Sequence, residues 1–224
     1  MGHDYRNFYQ TIFPFWEHLD EADRELLCRS TSSLTYKKGE LLHGGGGECT
    51  GAIVVRSGGL RAYLLSDEGR EVTLYRLDPG EICVLSASCV LKSITFDVFV
   101  DAQRESEVLL INGKIFSEIT DRNLYAQNFA LSLAVERFSE VMWTMQQILF
   151  MSFDRRLARF LIEESEKTGS LSIRLTQEQI ASYTGSAREV VSRMLKYFSS
   201  EGLVSHGRGG LEILDPEGLR RLAL

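Results

Sequence analysis

Nowhere does this chain of 224 residues run through about eighteen consecutive apolar residues, so no stretch of it reads as a transmembrane helix. The basic-then-apolar pattern of a secretory leader is also missing, because Asp4, Glu17, Asp20 and Glu21 interrupt it early. The expectation is a cytoplasmic protein without a membrane partner. Cysteine is scarce: the four residues Cys28, Cys49, Cys83 and Cys89 are sparse and unevenly spaced, which excludes a disulfide framework and points to reduced thiols. Basic charge is not in excess. A net charge of −6 argues against coating of nucleic acid by the whole molecule, although it leaves room for one local binding face. The glycine run Gly44 to Gly47 lacks the Gly-Lys-Ser/Thr ending and the strand–loop–helix setting of a phosphate loop, so it reads as a turn between strands. The chain shows no nucleophile–base pair, no known metal-ligand spacing and no dinucleotide fingerprint. No catalytic or metal-binding residue is therefore nominated, and an enzyme is not expected.

What is present has the balance of a soluble globular chain, with 44% hydrophobic and 25% charged residues, and the length allows two modest domains. The segment from Tyr5 to Ser30 reads as helical, with Phe13, Phe15, Trp16, Leu19, Leu26 and Leu27 as its apolar side. From Leu34 short β-type runs alternate with glycine turns at Gly39, Gly58, Gly59, Gly69 and Gly80. Ile94, Phe96, Val98 and Val100 continue the alternation, followed by Val108 to Ile111. Regular short strands between glycine turns argue for an all-β roll or sandwich.

From Phe116 the period becomes helical. Leu131, Val135, Phe138, Met142, Met145 and Leu149 recur at alternating steps of four and three, a heptad seam. A core-facing helix would show a broader stripe. The expected partner is therefore a second copy of the same helix, with Phe129, Trp143 and Ile148 beside the seam packing on the chain's own domain. A further amphipathic helix, Phe153 to Glu166, ends at Gly169, and the boundary between domains is expected near Met151 to Asp154.

The stretch from Thr176 to Leu195 reads as a helix-turn-helix. Thr176 and Gln179 form a capping box, Ala181 is small where two helices would touch, and Gly185 suits the turn. Val191 and Met194 supply the buried side of the second helix, while Arg188, Glu189, Ser192 and Arg193 occupy its exposed edge. Arginine offers a donor fork to guanine O6 and N7, and glutamate accepts from cytosine N4. A charged face of this kind can also be simply solvated, with Glu189 and Arg193 as an ordinary i,i+4 ion pair. The following "GLVSHGRGGLEIL" reads as strand, turn and strand, a wing with His206 and Arg208 at its tip. The candidate DNA-contacting set is thus Thr176, Gln177, Ser186, Arg188, Glu189, Ser192, Arg193, His206 and Arg208.

This order of elements, with "DEGREVTLYRLDPGEIC" and "AREVVSRML", resembles the Crp/Fnr family of bacterial transcription regulators over essentially the whole chain. The resemblance implies an α+β protein. A double-stranded β-helix sensor domain (jelly-roll, cupin-like) would occupy 1–116, a dimerisation helix 117–151 and a winged helix-turn-helix DNA-binding domain 152–224. It further implies a homodimer on palindromic double-stranded DNA with a TTGA-like or GTGA-like half-site core, and RNA polymerase as a partner. Arg188, Glu189 and Arg193 match the base-reading triplet of the cyclic-AMP receptor branch, and Ser192 is typical of the Fnr branch.

The sensor end departs from both branches. The receptor holds its cyclic phosphate with an arginine about ten residues after a Gly-Glu-Leu stretch. Here "CVLSASCVLKSITFDV" contains no arginine and only Lys92 as a cation. Without that bidentate donor, cyclic AMP is not expected as the effector. Only Cys28 stands in the N-terminal region, so the iron–sulfur cysteine pattern is absent as well. Cys83 and Cys89 could form a redox or metal pair, or pack as small apolar residues. His18 and His43 are haem candidates by residue type alone. An unidentified small-molecule effector would lie among Leu74, Arg76, Leu85, Phe96, Phe129 and Trp143. The alternative is a constitutive DNA binder with a filled sensor domain.

Overall fold

In the computed structural model, described over residues 2–44, 50–83, 97–207 and 210–224, the chain divides into two compact units. One comprises Met1–Leu64 and Leu74–Val141, the other Leu65–Thr73 and Met142–Leu224. The helical reading of the N-terminal segment resolves into α1 (Gly2–Ile12), a 3-10 turn (Trp16–His18) and α2 (Glu21–Arg29). The break has a local cause: Pro14 has no N–H to continue the first helix. Asp20 starts the second helix by accepting from the Asp23 N–H at 2.8 Å.

Among the described residues eight strands follow: β1 (Thr31–Tyr36), β2 (Leu41–His43), β3 (Ala52–Ser57), β4 (Leu60–Leu65), β5 (Glu71–Leu77), β6 (Ile82–Cys83), β7 (Phe99–Ala102) and β8 (Ser106–Ile111). They form two four-stranded sheets, ordered β1-β8-β3-β6 and β2-β7-β4-β5. β3 shows why its sequence reads as an unbroken apolar run. Ile53 and Val55 face the interior with Leu60, Ala62, Leu74, Tyr75 and Val100. Ala52 and Val54 face the other way, onto Tyr9, Phe13, Trp16 and Phe116 of the flanking helices. A strand buried on both faces loses the alternation that marks a half-exposed one. Gly58 makes the tight β3–β4 link at φ +86°, where an added Cβ would lie 2.4 Å from the Glu105 carbonyl oxygen.

The expected single helix over 117–151 is two. α3 (Gly113–Arg122) stops at Asn123, and α4 runs from Leu124 to Phe150. Asn123 accepts from the N–H groups of Tyr125 and Ala126, both at 3.0 Å, so its side chain satisfies donors that open the new helix. The division into units falls within α4, after Val141, rather than at Met151 to Asp154.

The second unit contains α5 (Phe153–Thr168), β9 (Ser172–Ile173), α6 (Gln177–Thr184), α7 (Arg188–Ser200), β10 (Val204–Gly207), β11 (Gly210–Ile213) and α8 (Pro216–Ala223). α5 ends as expected at Gly169, in the left-handed conformation. β10, β11 and β9 make a small antiparallel sheet, and α8, which the sequence reading did not include, completes the unit. Leu157, Leu161, Ile180, Val191, Leu195 and Phe198 lie at its core.

Candidate nucleic-acid interface

The helix-turn-helix is built as its residues require. The Thr176 hydroxyl accepts from the Gln179 N–H at 3.1 Å, and the Gln179 side chain accepts from the Thr176 N–H at 3.0 Å. This reciprocal box is worth about 1 kcal/mol at its cap. Gly185 ends α6 at φ +61°, a conformation costly for any residue with a Cβ, and the chain turns directly into α7. Ala181 is buried at the contact between the two helices.

Along α7 the two faces separate cleanly. Val191, Leu195 and Phe198 are buried, with Met194 packed partly against them. Arg188, Glu189 and Arg193 are exposed, and Ser192 is half-buried beside them. The sequence reading found Val191 and overstated Met194, while the deeper anchors Leu195 and Phe198 escaped it. Ala187, at the start of α7, makes no side-chain cap. Ser186 is half-buried in the turn, and its N–H donates to the Ala181 carbonyl at 2.9 Å. Thr176 is exposed and Gln177 half-buried at the start of α6. The wing strands pair from Val204↔Ile213 to Gly207↔Gly210, with His206 opposite Leu211. The His206 side chain and all of Arg208 lie outside what the structure describes.

α4 presents a different surface. The six predicted seam residues, Leu131, Val135, Phe138, Met142, Met145 and Leu149, are all between 44% and 66% exposed. Its buried residues are Ala126, Ala130, Leu133 and Arg137, a second stripe at the same four-and-three spacing. Arg137 is only 3% exposed. It pairs with Glu140 at 2.8 Å and Glu81 at 3.3 Å, and its guanidinium lies 4.8 Å from the centre of the Tyr75 ring. Among the described residues its Nε finds no hydrogen-bond partner. Sequence reading missed Arg137 because an arginine within a helix reads as surface.

Two of the residues nominated for the effector pocket, Leu74 and Phe129, lie in different clusters. Leu74 belongs to the interior of the roll. Phe129 instead packs with Phe13 and Phe15, at ring distances of 5.8 and 5.3 Å, in the separate cluster under the N-terminal helices. Aromatic neighbours on α1 and the following turn claimed it. Trp143 is 46% exposed, with the Arg159 guanidinium 5.3 Å from its ring centre. Arg76 is half-buried. Leu85, Phe96, Cys89 and Lys92 lie outside the described residues. Cys83 is a buried thiol 3.6 Å from the Tyr75 hydroxyl, which burial holds well above its ordinary pKa. The His18 ring stacks on Tyr125 at 3.6 Å, and His43 Nδ1 lies 2.6 Å from the Thr50 hydroxyl. Among the described residues no group of three or more His, Cys, Asp or Glu side chains could hold a metal ion.

Two family models match the chain. The Crp-like helix-turn-helix domain covers residues 155–222, and the cyclic nucleotide-binding domain covers residues 33–123. The crystal structure of a transcriptional regulator of the crp/fnr family from Eubacterium rectale superimposes with a TM-score of 0.89 at 42% identity. It covers 95% of this chain and 99% of its own. The chain belongs to the Crp/Fnr family. It is also 27% identical to the transcriptional regulatory protein btr of Bordetella pertussis, over 75% of this chain and 71% of that protein. The transcriptional activator protein anr of Pseudomonas aeruginosa matches at 27% identity, over 84% of this chain and 78% of that one. The Crp/Fnr protein described here is accordingly a DNA-binding transcription regulator, with a roll of the cyclic nucleotide-binding type followed by a helix-turn-helix. Among the described residues no helix is long and apolar enough to cross a membrane.

Proposed function

We propose that this regulator works in the cytoplasm as a homodimer on a palindromic operator, pairing through α4 and reading bases with α7. The observation that carries the reading is the opposite chemistry of two open faces, an apolar heptad stripe on α4 and a polar edge on α7. Coiled-coil packing would close the first. Arg188, Glu189, Ser192 and Arg193 would meet base edges in the major groove, two-fold symmetry setting the half-site spacing. Thr176, Gln177 and Ser186, with His206 and Arg208 of the wing, would meet the backbone. RNA polymerase would be the downstream partner.

Control by a small-molecule or redox effector in the roll is the fuller form of this proposal. Arg137, buried against Tyr75 with an Nε that finds no hydrogen-bond partner among the described residues, supports a polar site there. A constitutive regulator is the second reading, favoured by a roll interior already occupied by Ile53, Val55, Leu60, Leu74, Tyr75 and Val100.

Selection of duplexes from a random pool, with and without a cytoplasmic small-molecule extract, tests both. A palindrome enriched only with extract supports effector control, and equal enrichment supports the constitutive form. Enrichment of no sequence would leave the polar edge of α7 as a solvated face.

A further inference from the structure

The tip of the β4–β5 hairpin belongs to the same compact unit as the helix-turn-helix. The tip is a tight turn: the Gly69 N–H donates to the Ser66 carbonyl at 2.9 Å, and the Ser66 N–H donates to the Arg70 carbonyl at 2.9 Å. Two of its side chains reach the helix-turn-helix. The Arg70 guanidinium donates to the carbonyl of Gly185, the glycine of the turn. The Thr73 hydroxyl donates to the Ser182 carbonyl at 3.0 Å. Val72 borders the same glycine, with its Cγ2 3.6 Å from where a Cβ would stand. A cleft of about 340 Å³ results. Its walls include Glu68, Arg70 and Glu71 on one side and Glu178, Ser186 and Arg188 on the other.

We propose that this hairpin is an autoinhibitory clamp, whose acidic tip occupies the DNA-reading end of α7 when docked. The inference rests on the reading of α7 as a DNA-contacting helix. Three carboxylates, Asp67, Glu68 and Glu71, surround the single cation of the tip. A duplex carries about one negative charge per 1.7 Å of its axis. Phosphates approaching Arg188 and the first turn of α7 would meet both the bulk of the tip and its charge. DNA binding and docking therefore exclude one another. The attachment is also reversible by design of its contacts. Its contacts include two side-chain donors on two backbone carbonyls, and Arg70 acts on Arg156 as a like charge. The rest of β4 and β5 lies in the other unit, so the tip is covalently continuous with those strands.

The test uses full-length Arg70→Ala and Thr73→Val, neither of which alters a residue assigned to DNA. Affinity is read by fluorescence anisotropy on the duplex selected by the wild type and on a scrambled duplex. Hydrogen exchange of residues 66–71 is followed in parallel. If about nine molecules in ten are docked, release raises apparent affinity about tenfold. The expected result is tighter binding to the selected duplex by both variants, together with faster exchange at the tip. Faster exchange with unchanged affinity would overturn the clamp and leave the DNA reading intact. Equally fast exchange in wild type and variants would overturn the docking itself. Failure of every form, wild type included, to discriminate the two duplexes would overturn the DNA reading and the clamp with it.

Discussion

α4 and α7 each bury one face and leave the other open, and the two helices make opposite choices. α7 hides Val191, Leu195 and Phe198 and shows Arg188, Glu189 and Arg193. α4 hides two alanines, a leucine and Arg137, and shows Leu131, Val135, Phe138, Met142, Met145 and Leu149. The first is how a helix meets water or a charged ligand. The second leaves large apolar side chains in water along the helix, each worth about 1.5–3 kcal/mol if fully buried. Contiguous apolar surface of this kind marks an interaction site rather than a tolerated exposure. Under the proposed function the face a helix leaves open is the one that meets a partner, protein for α4 and nucleic acid for α7.

The most damaging test of this contrast is Phe138→Glu together with Met142→Glu, which places two charges in the apolar stripe. The expected outcome in sedimentation is a monomer in place of the proposed native dimer, and a persisting dimer would move the interface elsewhere. Next in size is Leu195→Ala on the buried face of α7. It should lower stability by about 2–5 kcal/mol, seen as an earlier midpoint in chemical denaturation. A shift of only tenths of a kcal/mol would mean that this face is not the one that anchors the helix. Arg188→Ala acts on the open face of α7, where packing is not at stake. It should relax discrimination at one base pair by about 1–3 kcal/mol while the folded state is unaffected. Uniform weakening across all duplexes would reassign the arginine to phosphates.

The smallest effect lies away from both helices. Burial lowers the pKa of His43 below its ordinary 6.5, with Asp97 opposing the shift. The folded state then binds fewer protons than the unfolded one, so stability is full above pH 6.5 and is lost as pH falls below it. His43→Gln should flatten the slope of stability between about pH 7 and about pH 5, and an unchanged slope would place the titrating group elsewhere.

How much was legible differed with the range of the contacts involved. The helix-turn-helix could be read because its capping box, its turn glycine and its polar edge all lie within one short stretch, where spacing alone fixes geometry. The heptad spacing on α4 could be read for the same reason. The roll yielded its class and not its arrangement. Nothing local tells Leu74 that its neighbours are Val100 and Val108, or tells Phe129 that it belongs with Phe13 and Phe15. Two residues nominated for the effector site part at that point, Leu74 in the roll interior and Phe129 in the cluster under the N-terminal helices. The break at Asn123 was hidden because an asparagine is compatible with a helix interior and becomes a cap only when its side chain turns to the following amides.

By itself, then, the sequence determined the order of a β-roll, a heptad-bearing helix and a winged helix-turn-helix, because periods of two, three and a half, and 3.6 residues are properties of the chain. It also set Arg188, Glu189, Ser192 and Arg193 at helical spacing along one edge of α7. The tertiary structure alone decided which of two parallel stripes on α4 faces the roll, and it chose the one with the small residues and Arg137. Tyr75, Glu81 and Glu140 receive the guanidinium of that stripe, and the larger apolar stripe is left exposed. It also decided that the tip carrying Arg70 and Thr73 meets the carbonyls of Gly185 and Ser182. That contact joins residues more than a hundred positions apart, and no periodicity can announce it.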